Sequence, residues 1–241
     1  MKFSALLLLT IAASAQDPPY PLVQIYREQV KPGAIPRLVN IEEAAAQFCA
    51  TAHCPNPYLA ISSITGPNEI CWINGVDTPD TLEKMWHDYG ANAQIMQRLN
   101  DVAGQKADLV FPSTTVIARF HPEMSFYTTP IPPRYISIST VVIHPGHVAG
   151  FRDARTRLKA ALERAGRPQW VYQVTSGAED VTFLVMTPAR TLQEIQTTPA
   201  PDDPANEAIV SSETRLYAVS PSMSLPAQSW IDADPDFWKR P

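Results

Sequence analysis

The chain has 241 residues, 45% of them hydrophobic, with a formal net charge of −5 and a pI near 5.5. This balance, with Lys and Arg scattered rather than clustered, excludes the basic field that nucleic-acid binding requires. Twenty-four prolines against nine glycines point to stiff connections, not to a flexible low-complexity chain.

Lys2 precedes an apolar run over 5–13, and Ala13-Ser14-Ala15 reads as a small-residue cleavage site. The expectation is a signal peptide over 1–15 and a periplasmic or extracellular protein. The run is too short to anchor in a bilayer, so no membrane anchor is expected. In an oxidising compartment thiols pair. Cys49 and Cys54 lie close enough to form a disulfide, with Cys71 left as a buried free thiol, although any of the three could instead be a small buried hydrophobe. C-x4-C is not a zinc spacing, and no metal is expected.

An alternating stretch over 22–33 predicts a strand ending in Pro-Gly. A helix over 34–52 follows, with Ile35, Leu38, Ile41, Ala45 and Phe48 on one stripe. Two strands, 58–65 and 69–75, flank Gly66-Pro67. A second helix opens at Thr78-Pro79 and an additional one covers 91–103. A strand then leads into His121-Pro-Glu-Met-Ser125. After a Pro-rich linker (128–134) the order recurs: strand 135–146, helix 147–165, strands 169–175 and 181–187, and a helix expected at Thr187-Pro188. A Pro- and Asp-rich loop covers 197–208, and a last strand leads into Ser220-Pro-Ser-Met-Ser224. Residues 226–241 form a tail.

The two Pro-x-Met-Ser motifs sit at matched ends of these halves, 16–127 and 135–225. Proline stops strand pairing there, Met124 and Met223 are placed to plug the sheet, and Ser125 and Ser224 to bond nearby backbone. A nucleophilic serine would need a base that neither motif supplies.

Each half therefore reads β-α-β-β-α-β, a ferredoxin-like unit. The fold class is α+β, with tandem repeats rolling into one intramolecular barrel and helices outside. With its opening stretch Q-I-Y-R-E-x-V-K-P-G (24–33), the arrangement resembles the dimeric α+β barrel superfamily, which includes antibiotic-biosynthesis-monooxygenase-like and NIPSNAP-like proteins. The resemblance implies that one fused chain replaces a homodimer, so a monomer or weak homodimer is expected. Haem-degrading members use an Asn on the first strand, a Trp on a later strand and a His on the second helix. Trp72 and His87 fall in comparable elements, with Gln24 or a neighbour where those members have Asn, and chlorite-dismutase-like members share the tandem architecture. Haem is thus the one cofactor the resemblance suggests; otherwise none is expected.

Strand alternation directs Val23 and Ile25 toward the helices. Gln24, Tyr26 and Glu28 then point into the barrel, opposite Tyr135, Ser137 and Ser139. With Tyr58, Trp72 and Arg119 they make a candidate ligand site in the first half, Arg119 being the expected partner of Glu28. Such aromatics could equally fill the space between two sheets. His144 and His147 flank Pro145-Gly146 with no third ligand nearby and read as surface residues, as does His87. Three functions stay open: binding of an apolar or aromatic small molecule; a cofactor-independent or haem-degrading monooxygenase; and an interaction module served by the tail Trp230–Trp238, unless that tail is a structural strap.

Overall fold

The computed structural model describes residues 19–127, 132–197 and 206–239. The first half runs β1 (Leu22–Gln29), α1 (Ile35–Ala52), β2 (Tyr58–Ser63), β3 (Glu69–Val76), α2 (Pro79–Ala91), α3 (Ala93–Lys106) and β4 (Thr114–Phe120). The second runs β5 (Tyr135–Ile143), α4 (Val148–Arg164), β6 (Trp170–Ser176), β7 (Thr182–Ala189), α5 (Leu192–Thr197) and β8 (Ile209–Val219), followed by α6 (Gln228–Ala233) and α7 (Pro235–Trp238). The linker residues 128–131 and most of the predicted loop, 198–205, lie outside the described residues.

Local chemistry accounts for the first-half helices. Thr78 caps α2 by accepting a hydrogen bond from the Thr81 amide at 3.1 Å, with Pro79 in the first turn. Asn92 ends α2 and caps α3, accepting from the Ile95 amide at 3.1 Å. The matching helix of the second half is different. Thr187-Pro188 does not open it: β7 runs on through Pro188, opposite Ile136, and the six-residue α5 starts only at Leu192. Among the described residues no helix is long and apolar enough to cross a membrane.

All neighbouring strands pair antiparallel in the order β1-β3-β2-β8-β5-β7-β6-β4, and the sheet closes on itself. Within each half the spatial order is the same. The halves are joined by β2 with β8 and by β4 with β6, so among the described residues every strand of the barrel is paired on both sides. Val23, Ile25, Ile61, Cys71 and Ile73 of the first half meet Ile136, Ile138, Tyr172 and Tyr217 of the second in one buried cluster, the barrel lumen.

That packing reverses the expected facing of β1. Val23 and Ile25 point into the lumen; Tyr26 packs on the other face with Leu38 of α1 and Trp72. A lumen shared by two sheets is sealed from water and takes the apolar set. Tyr135, Ser137 and Ser139 change sides in the same way, and Ser139 Oγ meets Thr214 Oγ1 in an exposed pair at 2.7 Å.

The paired Pro-x-Met-Ser motifs prove to be reciprocal clasps. Ser125 Oγ donates to the His121 carbonyl (2.7 Å) and accepts from the Val171 amide of β6 (2.9 Å). Ser224 Oγ donates to the Ser220 carbonyl (2.6 Å) and accepts from the Ala60 amide of β2 (2.9 Å). Each half thus ends by satisfying a buried amide on a strand of the other half, while Met124 and Met223 are buried beside it. Ser125→Ala or Ser224→Ala leaves that amide without its partner, and each is expected to cost about 1–3 kcal/mol in chemical denaturation. A change below a few tenths would show that the clasps are incidental.

The tail is a strap. Trp230 and Trp238 are buried in the lumen cluster, stacked at 6.1 Å between ring centroids. Between them Asp234 takes two bonds of 3.0 Å from Arg134 and one of 2.7 Å from Arg190. Cys49 and Cys54 are disulfide-bonded, and Cys71 is free and buried.

Candidate functional site

The space between the first-half sheet and its helices holds a cavity of about 560 Å³. Its floor is the outer face of the strands, with Gln24 and Tyr26 from β1, Tyr58 from β2, and Trp72 and Asn74 from β3. Its roof comes from α1 (Ala45, Cys49), α2 (Met85, Trp86, Tyr89) and α3 (Met96, Leu99, Val102). Three helices cover this face because α3 is inserted between α2 and β4. In the second half α4 lies directly on its sheet, and Phe151 and Phe183, 4.7 Å apart, fill the matching space.

The walls are mostly apolar, with the charged groups gathered at one end. Glu42 of α1, Lys106 of α3 and Glu28 of β1 form a buried row. Lys106 Nζ is 2.8 Å from Glu42 Oε1 and 2.9 Å from Glu28 Oε1. Tyr26 Oη donates to Glu28 Oε1 at 2.7 Å and shares a hydrogen bond with Ser113. The ammonium also lies 4.9 Å from the Trp72 ring centre and 5.5 Å from that of Tyr26. Two carboxylates therefore face one ammonium across low-dielectric walls.

Titration follows from that enclosure. Burial pushes the Glu42 carboxyl up, and Lys106 only partly offsets it. Burial alone would lower Lys106, but the two carboxylates hold it above its ordinary value. Tyr26 is raised by burial and by Glu28, against a lowering bond from Ser113, and Tyr89 is pushed up to about 12 by burial. A carboxyl raised by burial, with a cation at hydrogen-bond distance, has the surroundings of a general base.

A second, smaller chamber of about 350 Å³ adjoins the first. Tyr26, Ala103 and Lys106 line both; Glu28, Ala107, Val110, Phe111 and Ser113 belong to the smaller one.

Of the residues picked out from sequence, Gln24, Tyr26, Tyr58 and Trp72 are brought together around the large chamber, on its sheet side. Glu28 lines the smaller chamber. Arg119 is exposed and lines neither, and Lys106 takes its expected place beside Glu28. Glu42 and Lys106 were missed, although a signal exists. Glu42 falls on the buried α1 stripe Leu38, Glu42, Ala45, Cys49, and Lys106 on the α3 stripe Ile95, Val102. Opposite charges on the apolar faces of two helices predict a buried pair.

The chamber offers haem no histidine and no free thiolate. His87 has a side chain 78% exposed, no histidine lines the chamber, and Cys49 is committed to its disulfide. His144 and His147 lie exposed with ring centres 5.9 Å apart. Among the described residues no group of three or more His, Cys, Asp or Glu is placed to hold a metal ion.

No family model and no curated protein matches the chain. Solved structures do. A candidate monooxygenase from Lactobacillus acidophilus superposes with a TM-score of 0.57 at 8% identity, over 87% of this chain and 97% of that one. An anthrone oxidase-like protein gives 0.55 at 13% identity, over 84% and 92%. A mutant chlorite dismutase from Candidatus Nitrospira defluvii gives 0.53 at 10% identity, over 85% and 93%. At such identities the likeness is one of fold: the chain shares with these structures a closed antiparallel barrel flanked by helices.

Proposed function

We propose that the chain is an oxygenase working without a bound cofactor. Its substrate is a flat, mostly apolar aromatic molecule that carries an activated C–H or ionisable O–H group. The observation that carries this reading is the chamber itself: apolar and aromatic along its length, with the Glu42–Lys106 pair at one end. Glu42 is the base that removes the proton, and the aromatic walls, Trp72 foremost, hold the anion away from water. Dioxygen is the co-substrate. For an activated methylene, the carbanion left after proton transfer gives its electrons to O2, and the adduct loses water. Ring CH2 and O2 become ring C=O and H2O, with the abstracted proton returned to the departing oxygen. The fold is also that of a candidate monooxygenase and of an anthrone oxidase-like protein.

The same reading takes the chain as two fused ferredoxin-like units, 16–127 and 135–225, acting as a monomer or weak homodimer. It places the protein in the periplasm or outside the cell. The Cys49–Cys54 disulfide supports an oxidising compartment.

Dithranol, an anthrone, tests the activity. Purified protein is expected to consume one O2 per dithranol and form the quinone faster than buffer does. Glu42→Gln should lower the rate about 10²-fold or more. Saturable binding without oxygen uptake above buffer would leave a binding protein in place of an oxygenase.

A further inference from the structure

The second chamber lies beside the one proposed to hold the substrate and shares Lys106 and Tyr26 with it. Glu42 lines only the large chamber and Glu28 only the small one. Lys106 stands between them with contacts of 2.8 and 2.9 Å. Tyr26 holds the same Glu28 oxygen that Lys106 bonds, and Glu28 Oε2 is buried with no hydrogen-bond partner among the described residues. A carboxylate with a free acceptor oxygen, an ammonium at hydrogen-bond distance and a second carboxylate beyond it form a continuous chain of proton donors and acceptors. A purely structural pair would need one carboxylate, and burying a second adds desolvation cost.

We propose that Lys106 and Glu28 form a proton path linking the substrate chamber to the smaller chamber, through which the proton taken by Glu42 exchanges with solvent. The step balances without a co-reactant. Protonated Glu42 gives its proton to Lys106 as Lys106 gives one to Glu28, so the ammonium is unchanged and the proton has moved from one carboxylate to the other. Glu28 then releases it to water on the side where the exposed Ser113 stands. Lys106 and Glu28 are positioning and relay residues; Glu42 meets the substrate. The inference rests on the oxygenase reading above and adds where the proton goes.

The test separates proton exchange from oxygen chemistry. Under nitrogen in D2O, the wild-type protein is expected to exchange the methylene hydrogens of dithranol faster than buffer does. In air it is expected to consume O2. If the path is as described, Glu28→Gln traps the abstracted proton beside the substrate, so that exchange falls about tenfold further than oxygen uptake. Ala107→Trp fills the smaller chamber without replacing a charged residue, and should shift the same ratio in the same direction even if Glu28→Gln fails to fold. Exchange and uptake that fall in parallel, or an unchanged ratio in Ala107→Trp, would overturn the path and leave the oxygenase standing. A wild-type protein that binds dithranol but shows neither exchange nor uptake above buffer would overturn both.

Discussion

Lys106→Met is expected to cost about 3–5 kcal/mol, because it strands Glu28 and Glu42 in a buried site without their shared cation. For a chain of this size that is a fall of roughly 6–20 °C in melting temperature. The loss is electrostatic, so it should be reversible by removing the charges it strands. Neutralising both carboxylates in the same background, with Glu28→Gln and Glu42→Gln, should recover most of the stability while abolishing activity. Methionine keeps the apolar stem that packs near Trp72 and Tyr26, so lost packing cannot imitate the effect. Thermal denaturation of the single and triple variants decides it. A single variant within 1 kcal/mol of wild type would place Lys106 in water, not in a buried row.

Trp230→Ala is expected to destabilise by a similar amount, about 3–5 kcal/mol, since a buried aromatic ring would be replaced by a cavity at the end of the lumen. Its neighbours in that cluster include Trp238 and Tyr20, the latter 6.4 Å away between ring centroids. Asp234→Asn weakens the paired contacts to Arg134 and Arg190 and should cost less, because those arginines are partly exposed. Urea unfolding of both variants ranks the two contributions. If Trp230→Ala left stability unchanged, the tail would be a surface appendage free to dock elsewhere, not a strap.

Much of this fold is written in local patterns. The alternation of 22–29 and 135–143, the Pro-Gly ends and the Pro-x-Met-Ser motifs locate strands in both halves because each pattern reports a short-range constraint. Facing is different. Alternation shows that Val23 and Ile25 share a side, but not which side is the lumen; that depends on two sheets meeting, a contact between residues more than a hundred positions apart. The facing error carried into the site. Parity puts Gln24 and Tyr26 on one face of β1 without saying which layer that face meets, and strand patterns alone offer Arg119, not Lys106, to Glu28. Lys106 comes from the last turn of α3, the additional helix expected over 91–103 but running on to 106. It was visible only as a charge on an apolar stripe.

If a small aromatic molecule binds between the first-half sheet and its helices, anaerobic calorimetric titration with dithranol will register it. Leu99 lines the chamber from α3 and is only partly buried, so Leu99→Trp fills the space at little cost to the fold. Saturable 1:1 binding is expected for the wild-type protein, at least about tenfold weaker in Leu99→Trp, a loss of about 1.4 kcal/mol or more. Binding of equal strength in the filled variant would contradict it.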